Sequence, residues 1–165
     1  MVRLAAILAL VAGGLSPLGA QSAGVALAFR GLRPAMTGAS ADSVLRAHEA
    51  QLRCQPTREP RMQACSAEAN LGDGSPATLT MSLIDGRVGI ALISARLPAD
   101  RIADWHDELR RAYGEVTPQR RPGQESFQWI RADQMLRLTV RREADGLVAS
   151  ISLIDGRLLD GLPPP

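Results

Sequence analysis

The 165-residue chain is long enough for one compact domain or for two small fused modules. Its 19 basic residues, all of them Arg, nearly balance 17 acidic residues, which excludes the strongly basic surface of a dedicated nucleic-acid-binding protein. Aromatic residues make up only 3% of the chain, so most of them are expected in the core.

The first 20 residues have the pattern of a secretory signal peptide. Arg3 precedes an unbroken apolar run, Leu4–Val11, and small residues follow at Gly19 and Ala20. Gly, Ser, Pro and Gln interrupt the stretch before it reaches the ~20 apolar residues of a membrane-spanning anchor. We expect cleavage after Ala20 and a periplasmic or secreted protein with no stable membrane span. Three later positions are alternative cleavage sites: Ala23, Ala26 and Ala28.

Cys54 and Cys65 are the two cysteines of the chain, eleven positions apart. In an oxidising compartment such an isolated pair favours a disulfide bond. A metal site would need further ligands at close spacing, and a catalytic thiol would need an activating partner. The pair therefore predicts a structural disulfide, and the segment between the cysteines reads as an irregular covered loop.

The first half of the chain predicts one helix and one hairpin. A short strand is expected at Val25–Arg30. A helix begins after Thr37 or Ser40 and runs to about Leu52, with Asp42 in its first turn. From residue 78 apolar and polar residues alternate, and Asp85-Gly86 predicts a two-residue hairpin turn into a strand over residues 88–94.

The second half predicts a longer helix and three strands. Pro98 opens the helix, and Gly114 follows its last turn. A polar loop is expected at Thr117–Gln124. The three strands are Ser126–Arg131, Gln134–Arg142 and Leu147–Ile154. In the second of them Leu136, Leu138 and Val140 are expected on one face and Arg137, Thr139 and Arg141 on the other.

The hexapeptide Ser-Leu-Ile-Asp-Gly-Arg occurs twice, at 82–87 and at 152–157. An Ala-Asp helix start and a His-acid pair precede each copy, which indicates internal duplication. The expected class is α+β, with two tandem helix-plus-antiparallel-meander repeats and the helices packed on one sheet face. The predicted divisions are 1–20 for the signal peptide, 21–96 for the first repeat with the disulfide loop, 97–160 for the second repeat, and 161–165 for a disordered tail.

No catalytic motif marks this sequence. His48 and His106 each precede an acid, but no close cluster accompanies them, so neither predicts a metal or catalytic site. The sequence contains no nucleophile elbow, phosphate-binding glycine loop or dinucleotide fingerprint. We therefore predict no cofactor and no metal, and we lean against an enzyme.

Three residues stand out as candidates for binding. Arg120 and Arg121 lie in the polar loop and could bind phosphate or an anionic glycan. Acidic residues nearby favour a solvated charged face as the alternative. Trp129 lies on a strand beside Gln128 and Arg131, and is the aromatic residue least clearly assigned to the core.

Two resemblances follow from these segments. Phe29-Arg30-Gly31-Leu32, followed by Ala35-Met36-Thr37 and a helix, resembles the opening of the small outer-membrane-assembly lipoprotein family. The order of helix and meander, used twice with a disulfide, is similar to the exported β-lactamase inhibitor protein fold. Export, a disulfide, duplicated architecture and the lack of catalytic motifs together indicate an exported module that binds another envelope protein.

The sequence thus favours a soluble, exported, non-enzymatic protein-interaction module of the bacterial cell envelope. A small-ligand or anionic-glycan binding protein is the first alternative, and an envelope hydrolase with an unmarked site is the second. Nucleic acid is not an expected partner.

Overall fold

The computed structural model describes residues 26–70 and 76–162. The helices are α1 (Gly38–Arg46), α2 (Ala99–Tyr113) and α3 (Gly156–Asp160). The strands are β1 (Arg53–Pro56), β2 (Met62–Asn70), β3 (Pro76–Ile84), β4 (Arg87–Arg96), β5 (Gln119–Arg121), β6 (Gln124–Arg131), β7 (Gln134–Glu143) and β8 (Gly146–Asp155). The predicted signal peptide, its cleavage after Ala20 and residues 163–165 lie outside the described residues.

All eight strands belong to one antiparallel sheet with the order β1-β2-β3-β4-β8-β7-β6-β5. The two predicted groups of strands meet where β4 pairs with β8, with Ile93 opposite Ile151. The expected α+β class is confirmed. Sequence periodicity left open whether the two groups share a sheet, because it does not specify which strands pair.

Helices α1 and α2 cover one face of the sheet. The His106 ring of α2 lies 4.3 Å from that of Phe127 on β6. Gly38 at the start of α1 lies against Leu83 of β3, since a Cβ added there would meet Leu83 Cδ1 at 2.7 Å. The expected alternation is confirmed, because Leu79, Met81 and Leu83 are buried, while Thr78 and Thr80 are exposed and Ser82 is half-buried.

The segment before α1 also belongs to the core. Phe29 meets Trp105 of α2 edge to face, with ring centroids 4.9 Å apart. Leu27 is fully buried. The Tyr113 hydroxyl accepts a hydrogen bond from Ala28 N at 2.7 Å and donates one to Ala28 O at 2.8 Å. These contacts fasten residues 27–29 to α2.

Two turn predictions are confirmed. Asp85 and Gly86 have φ values of +49° and +73°, and they join β3 to β4 with Ile84 opposite Arg87. Helix α2 runs from Ala99, after Pro98, to Tyr113, and Gly114 follows it with φ +91°. In both places glycine takes a backbone conformation that other residues rarely adopt.

Helix α1 ends at Arg46, well before the predicted end near Leu52. Glu49 adopts φ +57°, its N–H bonds Arg46 O, and Ala50 N–H bonds Leu45 O. This is a Schellman motif, which usually places Gly at the left-handed position. Because Glu occupies that position, no sequence signal marks the end. Asp42 lies past the first turn and does not act on the helix dipole as expected.

The segment that contains the disulfide is regular, contrary to the prediction of an irregular loop. Cys54 on β1 and Cys65 on β2 lie directly opposite each other and form the predicted disulfide. Pro56 ends β1 at the edge of the sheet, where a missing N–H disturbs no ladder. The two prolines that suggested a loop are therefore compatible with a hairpin.

Two further segments differ from the predictions. Residues 26–28 form no strand, and Phe29 bridges only Leu32, because Arg30 and Gly31 turn the chain with positive φ. The predicted polar loop at 117–124 contains the short strand β5 and a tight turn into β6. Both are local pairings of two or three residues, which are too short to show periodicity.

Candidate functional site

The face of the sheet that points away from α1 and α2 is the main candidate surface, and we call it the open face. It consists of alternate strand residues that the register places side by side in rows across the sheet. Four positions along the strands and eight strands span about 20 Å by 34 Å. That area, about 700 Å², approaches the roughly 800 Å² that each partner contributes to a standard protein interface.

An apolar row crosses four strands at one end of the open face. Its members are opposite each other in register, in the order Ile130, Met135, Ile154 and Ile90. Ile130 is 64% exposed, the most exposed large apolar side chain of the described residues. A contiguous row of this kind, which neither α1 nor α2 covers, is typical of an interaction surface.

A hydroxyl row lies two rows further along the strands. Its members are Thr78, Ser94, Ser150, Thr139 and Ser126. The Ser94 and Ser150 hydroxyl oxygens lie 3.0 Å apart where β4 meets β8. Short hydroxyl side chains keep this central part flat and able to form hydrogen bonds.

A charged row closes the other end of the open face. Arg96 and Arg141 flank Val148, and Arg121 lies further out on β5. Arg96 pairs with Glu143 at 3.3 Å and with Asp145 in the β7–β8 turn. The Asp145 carboxylate raises the pKa of Arg96, and Arg96 lowers the pKa of Asp145.

Positive charge exceeds negative charge on the open face. By strand register its arginines are Arg53, Arg96, Arg121, Arg137 and Arg141, and its acids are Glu68 and Glu143. Arg96 and Arg141 share Glu143, the latter at 4.0 Å. The remaining three arginines have no ion pair with a described residue, so the face has a net positive charge.

The predicted binding residues do not form one site, because Arg120 and Arg121 are neighbours that line the same hollow while Trp129 lies apart from them. Arg120 is opposite Glu125 and its Nε lies 2.7 Å from Glu125 Oε1. Arg121 lies at the outer edge of the open face, beside a hollow of about 430 Å³ that Arg142 also lines. Glu125 neutralises one of the positive charges around this hollow. Anion binding in the hollow stays a prediction.

Trp129 belongs to the covered side of the sheet. Its side chain is 3% exposed, and its Nε1 donates a hydrogen bond to Gly114 O at 2.8 Å. Its ring also lies near that of Tyr113. The geometry gives Trp129 a packing role and makes it inaccessible to a partner that docks on the surface.

The described residues show no assembled catalytic or metal centre. Among them no group of three His, Cys, Asp or Glu side chains could hold a metal ion. His106 packs on Phe127, and Arg110 pairs with Asp107 and Glu115. The buried carboxylate of Asp155 accepts hydrogen bonds from Gln134 and from Leu158 N, which gives it a structural role.

The sequence indicates part of the open face but not how its residues are organised. The alternation in β7 placed Arg137, Thr139 and Arg141 on one side, and the structure confirms it. Ile130, Met135 and Ile90 gave no signal as a group, because they belong to three separate strands. Only the register brings them into one row.

None of the helices in the described part of the chain is long and apolar enough to cross a membrane. The chain matches no protein-family model, and neither a curated protein nor a solved structure shows significant similarity to it.

Proposed function

We propose that this protein is an exported, non-enzymatic interaction module of the bacterial cell envelope that binds another envelope protein through the open face. The observation that carries the proposal is the eight-stranded sheet with α1 and α2 on one face and the open face on the other. The uncovered face combines an apolar row, a hydroxyl row and unpaired arginines within the area of a standard interface.

Export is supported by two independent features. Residues 1–20 have the charge and apolar pattern of a signal peptide. The Cys54–Cys65 disulfide is compatible with an oxidising compartment such as the periplasm. A soluble periplasmic or secreted protein accounts for both.

Internal duplication is part of the same proposal. Each of α1 and α2 is followed by four antiparallel strands. β3 ends within the first hexapeptide, and β8 ends within the second. The two copies therefore correspond if β1–β3 match β6–β8, with β5 as an additional strand in the second copy. The second span, residues 99–157, is about a dozen residues longer than the first, residues 41–87, and β5 with its turn supplies part of that excess.

Site-specific photocrosslinking in the cells of origin tests the proposed function. A photoreactive amino acid replaces Thr80 or Leu92 on the open face, and Ala103 on the exposed side of α2 is the matched control. We expect both open-face positions to form an adduct with the same envelope protein, identified by mass spectrometry, and Ala103 to form none. Adducts from Ala103 alone, or no adduct from either open-face position, would contradict the proposal.

A further inference from the structure

Arg137 lies on the open face, on the third strand from the β5 edge of the sheet. It lies on β7 between Gln128 of β6 and Ser152 of β8, in the row next to the apolar row. Its Nε and Nη2 both donate to Gln128 Oε1, at 3.0 Å and 2.5 Å. Gln128 therefore holds the guanidinium in place while supplying no negative charge.

The charge of Arg137 is not neutralised within the described part of the chain. No carboxylate of those residues lies within ion-pair distance, and Nη1 has no hydrogen bond to any of them. The side chain is only half-buried, so solvent or a partner can reach it. Arg96 and Arg141, in the charged row, have Glu143 nearby. Arg137 therefore differs from both in having no carboxylate of the described residues beside it.

Apolar side chains lie on one side of this cation. Met135 precedes it by two residues, with its sulfur 3.7 Å from Nη2. Ile154 lies opposite Met135 in the apolar row, and Leu92 lies across β8 from Arg137. A fixed Arg beside apolar side chains on an interaction surface is an arrangement found at binding hot spots.

We infer that Arg137 anchors a carboxylate of the partner, whose contact surface is a protein segment carrying Asp or Glu next to large apolar side chains. The inference rests on the proposed function of the open face. Charge complementarity selects an acidic partner, because the face carries five arginines and two acids. The planar guanidinium with its free Nη1 suits a carboxylate, and the apolar row receives the neighbouring side chains.

Peptide selection on the purified, exported protein tests this inference. A phage library of random twelve-residue peptides is panned against the wild-type chain, and the most enriched peptide is titrated by calorimetry. We expect enriched peptides to carry Asp or Glu within two positions of Leu, Ile or Phe. We expect Arg137→Gln to weaken binding at least tenfold. Arg137→Lys should weaken it less, because Lys keeps the positive charge but lacks the two parallel N–H donors of a guanidinium.

Arg101→Gln is the control variant, because Arg101 lies on α2 and pairs with Asp104 away from the open face. It should bind within twofold of wild type, and thermal unfolding should show that all variants fold. The inference is overturned by a library that yields no binder, by enriched peptides without acidic residues, or by Arg137→Gln binding within threefold of wild type. Crosslinks from Thr80 and Leu92 that persist in Arg137→Gln would overturn the inference while leaving the proposed function intact.

Discussion

Asp85 and Asp155 occupy the same position in the two copies of the hexapeptide, yet they stabilise different structures. Asp85 is exposed, adopts φ +49° and opens the β3–β4 turn. Asp155 is 5% exposed, adopts φ −108° and caps α3 by accepting a hydrogen bond from Leu158 N at 3.2 Å. Gly86 needs positive φ, whereas Gly156 is needed because a Cβ there would lie 3.1 Å from Asp133 O.

Asp155→Ala should lower the free energy of unfolding by about 1–3 kcal/mol, because it removes the cap of α3 and leaves the Gln134 amide without its partner. Asp85→Asn is the matched control. Asn tolerates positive φ, and the exposed ion pair of Asp85 with Arg61 contributes at most about 1 kcal/mol, so a smaller loss is expected. Urea unfolding measures both variants, and equal losses would contradict the different roles.

The disulfide holds an edge strand whose four residues are all exposed. Replacing both cysteines with Ser should lower the free energy of unfolding by about 2–3 kcal/mol, because the unfolded chain regains the freedom of the closed loop. Hydrogen exchange should show faster exchange in β1 than in the central pair β4 and β8. Unchanged protection of β1 would show that backbone pairing alone holds the strand.

Glu49 ends α1 in a conformation that suits glycine. Glu49→Gly should raise the free energy of unfolding by about 0.5–1 kcal/mol, since Gly adopts φ +57° without steric cost. Ala47→Gly is the control, because Ala47 has φ −65° and gains nothing from glycine. Thermal unfolding should therefore shift in opposite directions for the two variants. A lower melting temperature for Glu49→Gly would contradict the prediction.

Asp42 connects α1 to the chain beyond it. Its carboxylate accepts hydrogen bonds from Leu52 N at 3.1 Å and from Arg46 Nε at 2.9 Å. The Leu52 N–H, followed by Arg46, lowers the pKa of Asp42. Because the folded pKa lies below the ordinary Asp value, this stabilisation is complete above about pH 4 and is lost as pH falls through the folded pKa.

An NMR titration of the Leu52 amide checks this prediction. Its chemical shift should change with a midpoint below the ordinary Asp pKa, and Asp42→Asn should remove that step. A midpoint at or above the ordinary value would show that the hydrogen bond does not favour the charged carboxylate.

The contacts of residues 27–29 bear on signal cleavage. Leu27 is fully buried and Ala28 N bonds the Tyr113 hydroxyl, so cleavage after Ala28 would remove both contacts. Cleavage after Ala26 would place a charged amino group on buried Leu27. We expect intact-mass analysis of the exported protein to find Gln21 or Gly24 at its start. A start at Leu27 or Phe29 would contradict the prediction.

The sequence by itself determined those features that depend on neighbours in the chain. Alternation over residues 78–83 and 134–142 specified which side chains face the core, and Asp85-Gly86 specified a turn because both positions take positive φ. The capping residues of α2 specified its ends. The cysteine pair predicted the disulfide from composition and compartment.

Only the tertiary structure decided features that depend on residues distant in the chain. Pairing of β4 with β8 is a contact between residues about 60 positions apart, and no local pattern encodes it. That pairing builds one sheet and places Ile90 beside Ile154 and Leu92 beside Ser152. Identical hexapeptides form a hairpin turn in one copy and a helix cap in the other, because the surrounding strands, rather than the six residues, determine which backbone hydrogen bonds are available.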